Sequence, residues 1–138
     1  MIDLNALLAG LTSLANGPGY SDATAVAIAL GLDLSQAKCV KMKRGDLIIS
    51  GARLSGGAAD VGIVAMPPPN IEIMLLFDTP ALPYSAISGR VFGSGQHILN
   101  SKASDGLSIL FRIGDMPCGI TVSSRAGVVQ TIFCKRPV

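Results

Sequence analysis

The sequence predicts an α+β domain in which an N-terminal helix precedes two pseudo-repeated helix-and-four-strand antiparallel units. Three observations predict it. Leu4, Leu7, Leu8, Leu11 and Leu14 recur at helical spacing, the stripe of an amphipathic helix. Leu107, Ile109, Phe111 and Ile113 alternate with Ser108, Leu110, Arg112 and Gly114, the period-two pattern of a half-buried strand. One order also occurs twice: Leu30-Gly31 and Phe92-Gly93 each close a helical segment before strands, and Leu47 to Ile49 and Ile109 to Phe111 follow them at the same offset. A chain of 138 residues is ordinary for one domain with its own core. It divides into the helix at 1–16, a first helix-sheet unit at 21–78 and a second at 79–138.

The elements follow in order. Asn16-Gly17-Pro18-Gly19 breaks the first helix. Ser21 then offers an N-cap to a short helix from Asp22 to Leu30, with Ala23, Val26, Ala27 and Leu30 on one face and Gly31 at its C-cap. Four strands are expected next, at Lys38 to Lys43, Leu47 to Leu54, Val61 to Met66 and Ile71 to Phe77, with Gly45-Asp46 and Ser55-Gly56-Gly57 as turns. Met66-Pro67-Pro68-Pro69-Asn70 is a stiff connection, because consecutive prolines donate nothing to a sheet ladder. A second helical segment opens at Thr79-Pro80 and runs through Tyr84, Ile87 and Val91, Pro80 suiting a first turn and Pro83 allowing a later start. Strands near Gln96 to Lys102, Leu107 to Ile113, Cys118 to Ser123 and Val128 to Lys135 complete the second unit. Treating Gly114 to Pro117 as the turn pairs Ile113 with Cys118, Phe111 with Ile120 and Ile109 with Val122. A short loop closed by Gly127 pairs Ile120 with Ile132 and Cys118 with Cys134. The sheets are expected as one continuous layer or two adjoining ones.

Composition narrows the function classes. Only 14% of residues are charged, where a typical soluble domain has about a quarter. A surface so poor in charge suits an interface with a partner or with a second copy of the chain. Eleven basic against nine acidic residues give +2, too weak a field to draw nucleic acid or an anionic membrane. The one basic cluster, Lys38, Lys41, Lys43 and Arg44, reads as a strand with one charged face whose lysines guard a sheet edge. No apolar run reaches the roughly twenty residues of a membrane span. Ala6 to Leu11 followed by Ser13-Leu14-Ala15 faintly resembles an export signal, but Asp3 and the lack of a preceding Lys or Arg favour a cytoplasmic over a periplasmic protein.

Candidates for chemistry are few. Catalysis needs a titratable group tuned by a second one. The chain has one histidine, His97, and one glutamate, Glu72, while Asp22, Asp46, Asp105 and Asp115 fall where turns and helix starts use aspartate. Three cysteines, Cys39, Cys118 and Cys134, lack metal-site spacing. Cys118 faces Cys134 in the register above, a pair that an oxidising compartment could bridge. No catalytic residue, no metal and no cofactor is therefore expected.

The run from Ala25 to Leu30-Gly31 followed by four strands, and from Ile87 to Phe92-Gly93 followed by four strands ending in Gly127 to Ile132, resembles the tandem helix-sheet repeats of beta-lactamase-inhibitor-like and bacterial toxin-immunity proteins. The resemblance covers most of residues 21 to 136 and departs from its pattern in lacking tryptophans and disulfide loops. It implies a non-enzymatic protein-binding module that occludes a partner toxin or enzyme. Expected contact residues are Arg53, Asp60, Asn70, Glu72, His97, Arg112 and Arg125, loop and strand positions with arginine prominent. The alternative is a small apolar-ligand-binding protein or enzyme whose curved sheet encloses a pocket lined by Phe77, Tyr84, Phe92, Phe111 and Phe133.

Overall fold

The computed structural model describes residues 2–54, 60–77, 82–83, 87–88, 97–100, 106–123 and 128–136. β1 (Ile2–Asp3) leads into α1 (Leu4–Asn16), a 3-10 turn (Pro18–Ser21) and α2 (Ala23–Leu30). As the leucine spacing requires, Leu7, Leu8, Leu11 and Leu14 are buried on one face of α1, each contributing roughly 2 kcal/mol of apolar burial. Arg136, beyond the last strand, ties down the end of this helix. Its guanidinium donates to the carbonyl oxygens of Ala15 at 2.5 Å and Gly17 at 3.3 Å, acceptors that a helix terminus leaves without intrahelical partners.

α1 and α2 cross at Gly10, where a Cβ would fall on the carbonyl oxygen of Ala29. Asp22, rather than the expected Ser21, caps α2: its carboxylate accepts the Thr24 N–H at 3.0 Å. Ser21 is taken up by the preceding turn, its hydroxyl donating to the Pro18 carbonyl at 3.2 Å. Gly31 ends the helix in the left-handed region at φ 66°, ψ 46°.

The strands that follow are β2 (Leu32–Asp33), β3 (Lys38–Lys41), β4 (Leu47–Leu54), β5 (Asp60–Ala65), β6 (Glu72–Phe77), β7 (Leu82–Pro83), β8 (Ile87–Ser88), β9 (His97–Asn100), β10 (Gly106–Ile113), β11 (Met116–Ser123) and β12 (Val128–Lys135). All but β1 and β8 join one 10-stranded sheet in the order β2-β4-β5-β6-β12-β11-β10-β9, with β3 also on β4 and β7 also on β12. Two four-stranded meanders, β3 to β6 and β9 to β12, thus meet through their last strands, and the layer is continuous. Within the sheet every described pairing is antiparallel. The helices cover one face. Ile49, Val61, Ile63, Ile73, Leu75, Ile120 and Ile132 point to that side and join the α1 leucines, Val26 and Leu30 in one core. A bulge between Ile49 and Ala52, with Gly51 at φ 75°, restores the inward phase so that both residues stay buried.

Three further expectations are corrected. The turn between β10 and β11 uses only Gly114 and Asp115, so Ile113 pairs with Met116, Phe111 with Cys118 and Ile109 with Ile120, two residues away from the expected register. Pro117 fits inside the strand, and the even shift keeps the same residues on the same face. The helix expected from Thr79 is not formed at its described residues. Leu82–Pro83 pairs with β12 and Ile87–Ser88 pairs parallel with β1, and the remainder of that segment lies outside the described residues. Pro83 holds Leu82 extended, and β1 supplies an open edge for Ile87. The helical part of the pseudo-repeat is therefore not reproduced there. Finally, Lys38 and Lys41 lie an odd interval apart and fall on opposite faces of β3, so the basic strand has no single charged face.

Candidate functional site

The face of the sheet turned away from the helices carries a continuous apolar row. In register, Val40 of β3 stands opposite Ile48 of β4, and Ile48 opposite Val64 of β5. Val64 stands opposite Met74 of β6, and Met74 opposite Phe133 of β12. Phe133 stands opposite Gly119 of β11, and Gly119 opposite Leu110 of β10. Ile48, Val64, Met74, Phe133 and Leu110 are each half-buried by their cross-strand neighbours, and Val40 at the edge is 41% exposed. Among the described residues no helix packs on this side. Glycine at position 119 is required by the row itself, because a Cβ there would fall on the Phe133 ring. The ring covers the bare glycine backbone and bridges β12 to β10, where Leu110 also approaches.

Mainly polar residues border the row. On one side Glu72 stands opposite Lys135, and Arg112 opposite Pro117. On the other, Leu76, Thr131 and Thr121 follow one another across β6, β12 and β11. Beyond Val40 lies the open edge of β3, where Lys38, Cys39, Lys41, Met42, Lys43 and Arg44 are all at least partly exposed. An apolar centre with a mainly polar rim is an arrangement that protein interfaces share.

The expected contact residues distribute around this surface. Arg53 and Asp60 are directly paired between β4 and β5 on the outward face and form an ion pair at 3.2 Å. Glu72 and Arg112 sit in the charged border, Arg112 donating to the Asp115 carbonyl oxygen at 3.3 Å. Asn70 lies instead in the connection after Pro67 to Pro69, beside an open depression of about 540 Å³ that also involves Arg44, Asp46 and Met66. His97 on β9 is the register partner of Leu110, at the end of the row. Arg125 lies outside the described residues. The apolar row itself is not among the expected contacts. Its signal is the sequence of β4, β5, β6 and β12, where residues between core positions are apolar too, a run that reads as a strand to be covered on both faces.

The ligand-pocket alternative meets an obstacle in two of its aromatic residues. Phe77 lies in the inward phase and packs against the core, whereas Phe133 belongs to the outward row. They cannot line one cavity. The side chains of Tyr84, Phe92 and Phe111 are outside the described residues. Among the described residues no cluster of three or more His, Cys, Asp or Glu side chains could hold a metal ion.

Comparison with protein-family models, curated proteins and solved structures finds no match to this chain. No described helix is long and apolar enough to cross a membrane.

Cys118 and Cys134 stand opposite each other as expected, both on the inward face and buried, with sulfurs 2.8 Å apart. The hydrogen bond from Cys134 holds the Cys118 thiol below its ordinary range. The same hydrogen bond, burial and the charge of Cys118 push Cys134 far above it. Cys39 is exposed on β3.

Proposed function

We propose that this chain is a non-enzymatic protein-binding module of the immunity or inhibitor type, which occludes a partner toxin or enzyme by laying its outward sheet face against it. The observation that carries this reading is the apolar row from Val40 to Leu110, bordered mainly by polar side chains and crossed by no described helix. Seven strand widths make it about 34 Å long. With its two flanking rows it offers roughly 700 Å², close to the roughly 800 Å² per partner of a standard interface. The cations along β3, together with Lys135 and Arg112, suit a partner whose apolar ridge is bordered by acidic side chains. A charge-poor composition agrees with a surface kept for contact.

The test is a capture experiment with two immobilised proteins, wild type and Val64→Lys/Met74→Lys, both first shown to be folded by circular dichroism. The expected result is one stoichiometric protein on the wild type, absent from the variant, with binding that weakens as salt rises. A wild type that is a dimer by light scattering, and a monomer in the variant, would assign the face to a second copy and overturn the inhibitor reading. A partner retained equally by both proteins would place the interface elsewhere.

A further inference from the structure

We propose that Cys118 and Cys134 form a native cross-strand disulfide that staples β11 to β12. The phase of the ladder sets the geometry of the pair. The two-residue Gly114-Asp115 hairpin closes on a hydrogen-bonded pair, Ile113 with Met116, and such pairs recur at every second position. Cys118 therefore directs its N–H and C=O at Phe111 in β10. On the other side, the Arg136 N–H donates to the Ile71 carbonyl at 2.8 Å. Two residues earlier the same phase makes Cys134 the hydrogen-bonded partner of Ile73 in β6.

Both cysteines thus aim their backbone groups away from each other, and together they form a non-hydrogen-bonded pair. Cα atoms in such a pair lie about 4.5 Å apart, inside the roughly 4.4 to 6.8 Å that a disulfide spans. Both side chains point inward, at 1% and 0% exposure. No backbone movement is needed to join them.

The oxidant is a small-molecule disulfide such as oxidised glutathione. One cysteine thiolate attacks it, forming a mixed disulfide and releasing one glutathione thiolate. The second cysteine, losing its proton, displaces the other glutathione thiolate, and both released thiolates take up protons. Two protein thiols are oxidised to one disulfide, and one glutathione disulfide is reduced to two thiols. Because the finished core encloses both sulfurs, this exchange belongs to folding, before the helices close over the sheet. The bond fixes the β11–β12 register that sets Phe133 over Gly119 on the outward face.

The test uses the full chain with Cys39→Ser, which removes the exposed thiol, refolded in a glutathione redox buffer or in a reducing buffer. Free thiols are then alkylated in denaturant and the intact mass is read. The expected oxidised product carries no alkyl group, weighs two hydrogens less, yields a Cys118–Cys134 peptide pair on non-reducing proteolysis, and melts roughly 10 °C above the reduced protein. A second variant, Cys39→Ser/Cys118→Ser, should take one alkyl group and melt alike in both buffers. Secretion of the chain into an oxidising compartment gives the same readout without refolding. A natively folded product from the oxidising arm with both cysteines alkylated, or a bond that lowers the melting temperature, would overturn the proposal.

Discussion

Two rows of side chains one residue apart, on the same strands, behave in opposite ways. Ile49, Ile63, Leu75, Ile132 and Ile120 face one another across β4, β5, β6, β12 and β11 and are buried beneath the helices. Their immediate neighbours Ile48, Val64, Met74, Phe133 and Gly119 form an equally continuous row on the other side, where no described helix lies. Hydrophobicity alone does not separate the two rows. What separates them is the supply of covering elements: α1 and α2 can close only one face, so the second apolar phase is left for something outside the described fold. An apolar strand residue has therefore to be assigned by what covers it, and no described helix covers this row.

Truncating each row in turn breaks the contrast most directly. Leu75→Ala should cost about 3 kcal/mol of stability, since it removes a fully buried side chain and leaves a cavity. Met74→Ala, one residue away, should cost under about 1 kcal/mol. Urea unfolding of the two variants checks the difference, and equal losses would mean that the outward row is also core. The inward face depends further on how closely its helices cross. Gly10→Ala should lower stability by about 2 kcal/mol, because the new methyl meets the Ala29 carbonyl and the helices must move apart. Asp22→Ala should cost about 1 kcal/mol, and Asp22→Asn much less, since either cap can accept the Thr24 N–H.

The smallest effect concerns acid. The Asp33 carboxyl is held below its ordinary value by the Ser35 backbone N–H, which donates to it at 2.9 Å. A depressed folded-state value means that its stabilisation is complete above the unfolded value and is lost as pH falls through the folded one. Asp33→Asn should therefore lower stability slightly at neutral pH, change little at the lowest pH where the wild-type carboxyl is also uncharged, and so flatten the acid limb of the profile, as measured by thermal melts across a pH range that brackets the ordinary carboxylate value of about 4.

Much of this fold is written locally. The leucine stripe of α1, Gly31 at the end of α2 and the bounds of β4 can all be read directly, because spacing and special dihedrals are properties of short segments. The Cys118–Cys134 pairing is legible too, since a short loop and matching apolar phases leave little freedom. The β10–β11 register is not: Met116 and Pro117 look like turn residues, and only the ladder shows that they pair with Ile113 and Arg112. Leu82–Pro83 and Ile87–Ser88 carry helix-start chemistry but are decided by distant edges on β12 and β1. At the borders of the candidate site, Arg53, Glu72 and Arg112 read as polar positions on strands and Asp60 as the end of a loop, and the ladder places Asp60 at the start of β5. The centre of the site carries a signal as well, the apolar second phase of β4, β5, β6 and β12, but alternation assigns one phase to the core and does not say what covers the other.

A partner surface on this face requires that the outward row be open to solvent in the isolated chain. The direct measurement is the thiol-labelling rate of the Met74→Cys variant in a Cys39→Ser background, with Leu75→Cys in the same background as the inward reference. The thiol introduced by Met74→Cys should react with a maleimide many times faster than the one introduced by Leu75→Cys, which stays protected under native conditions. Equal protection at both positions would show that the chain itself covers the row, and the interface reading would fall with it.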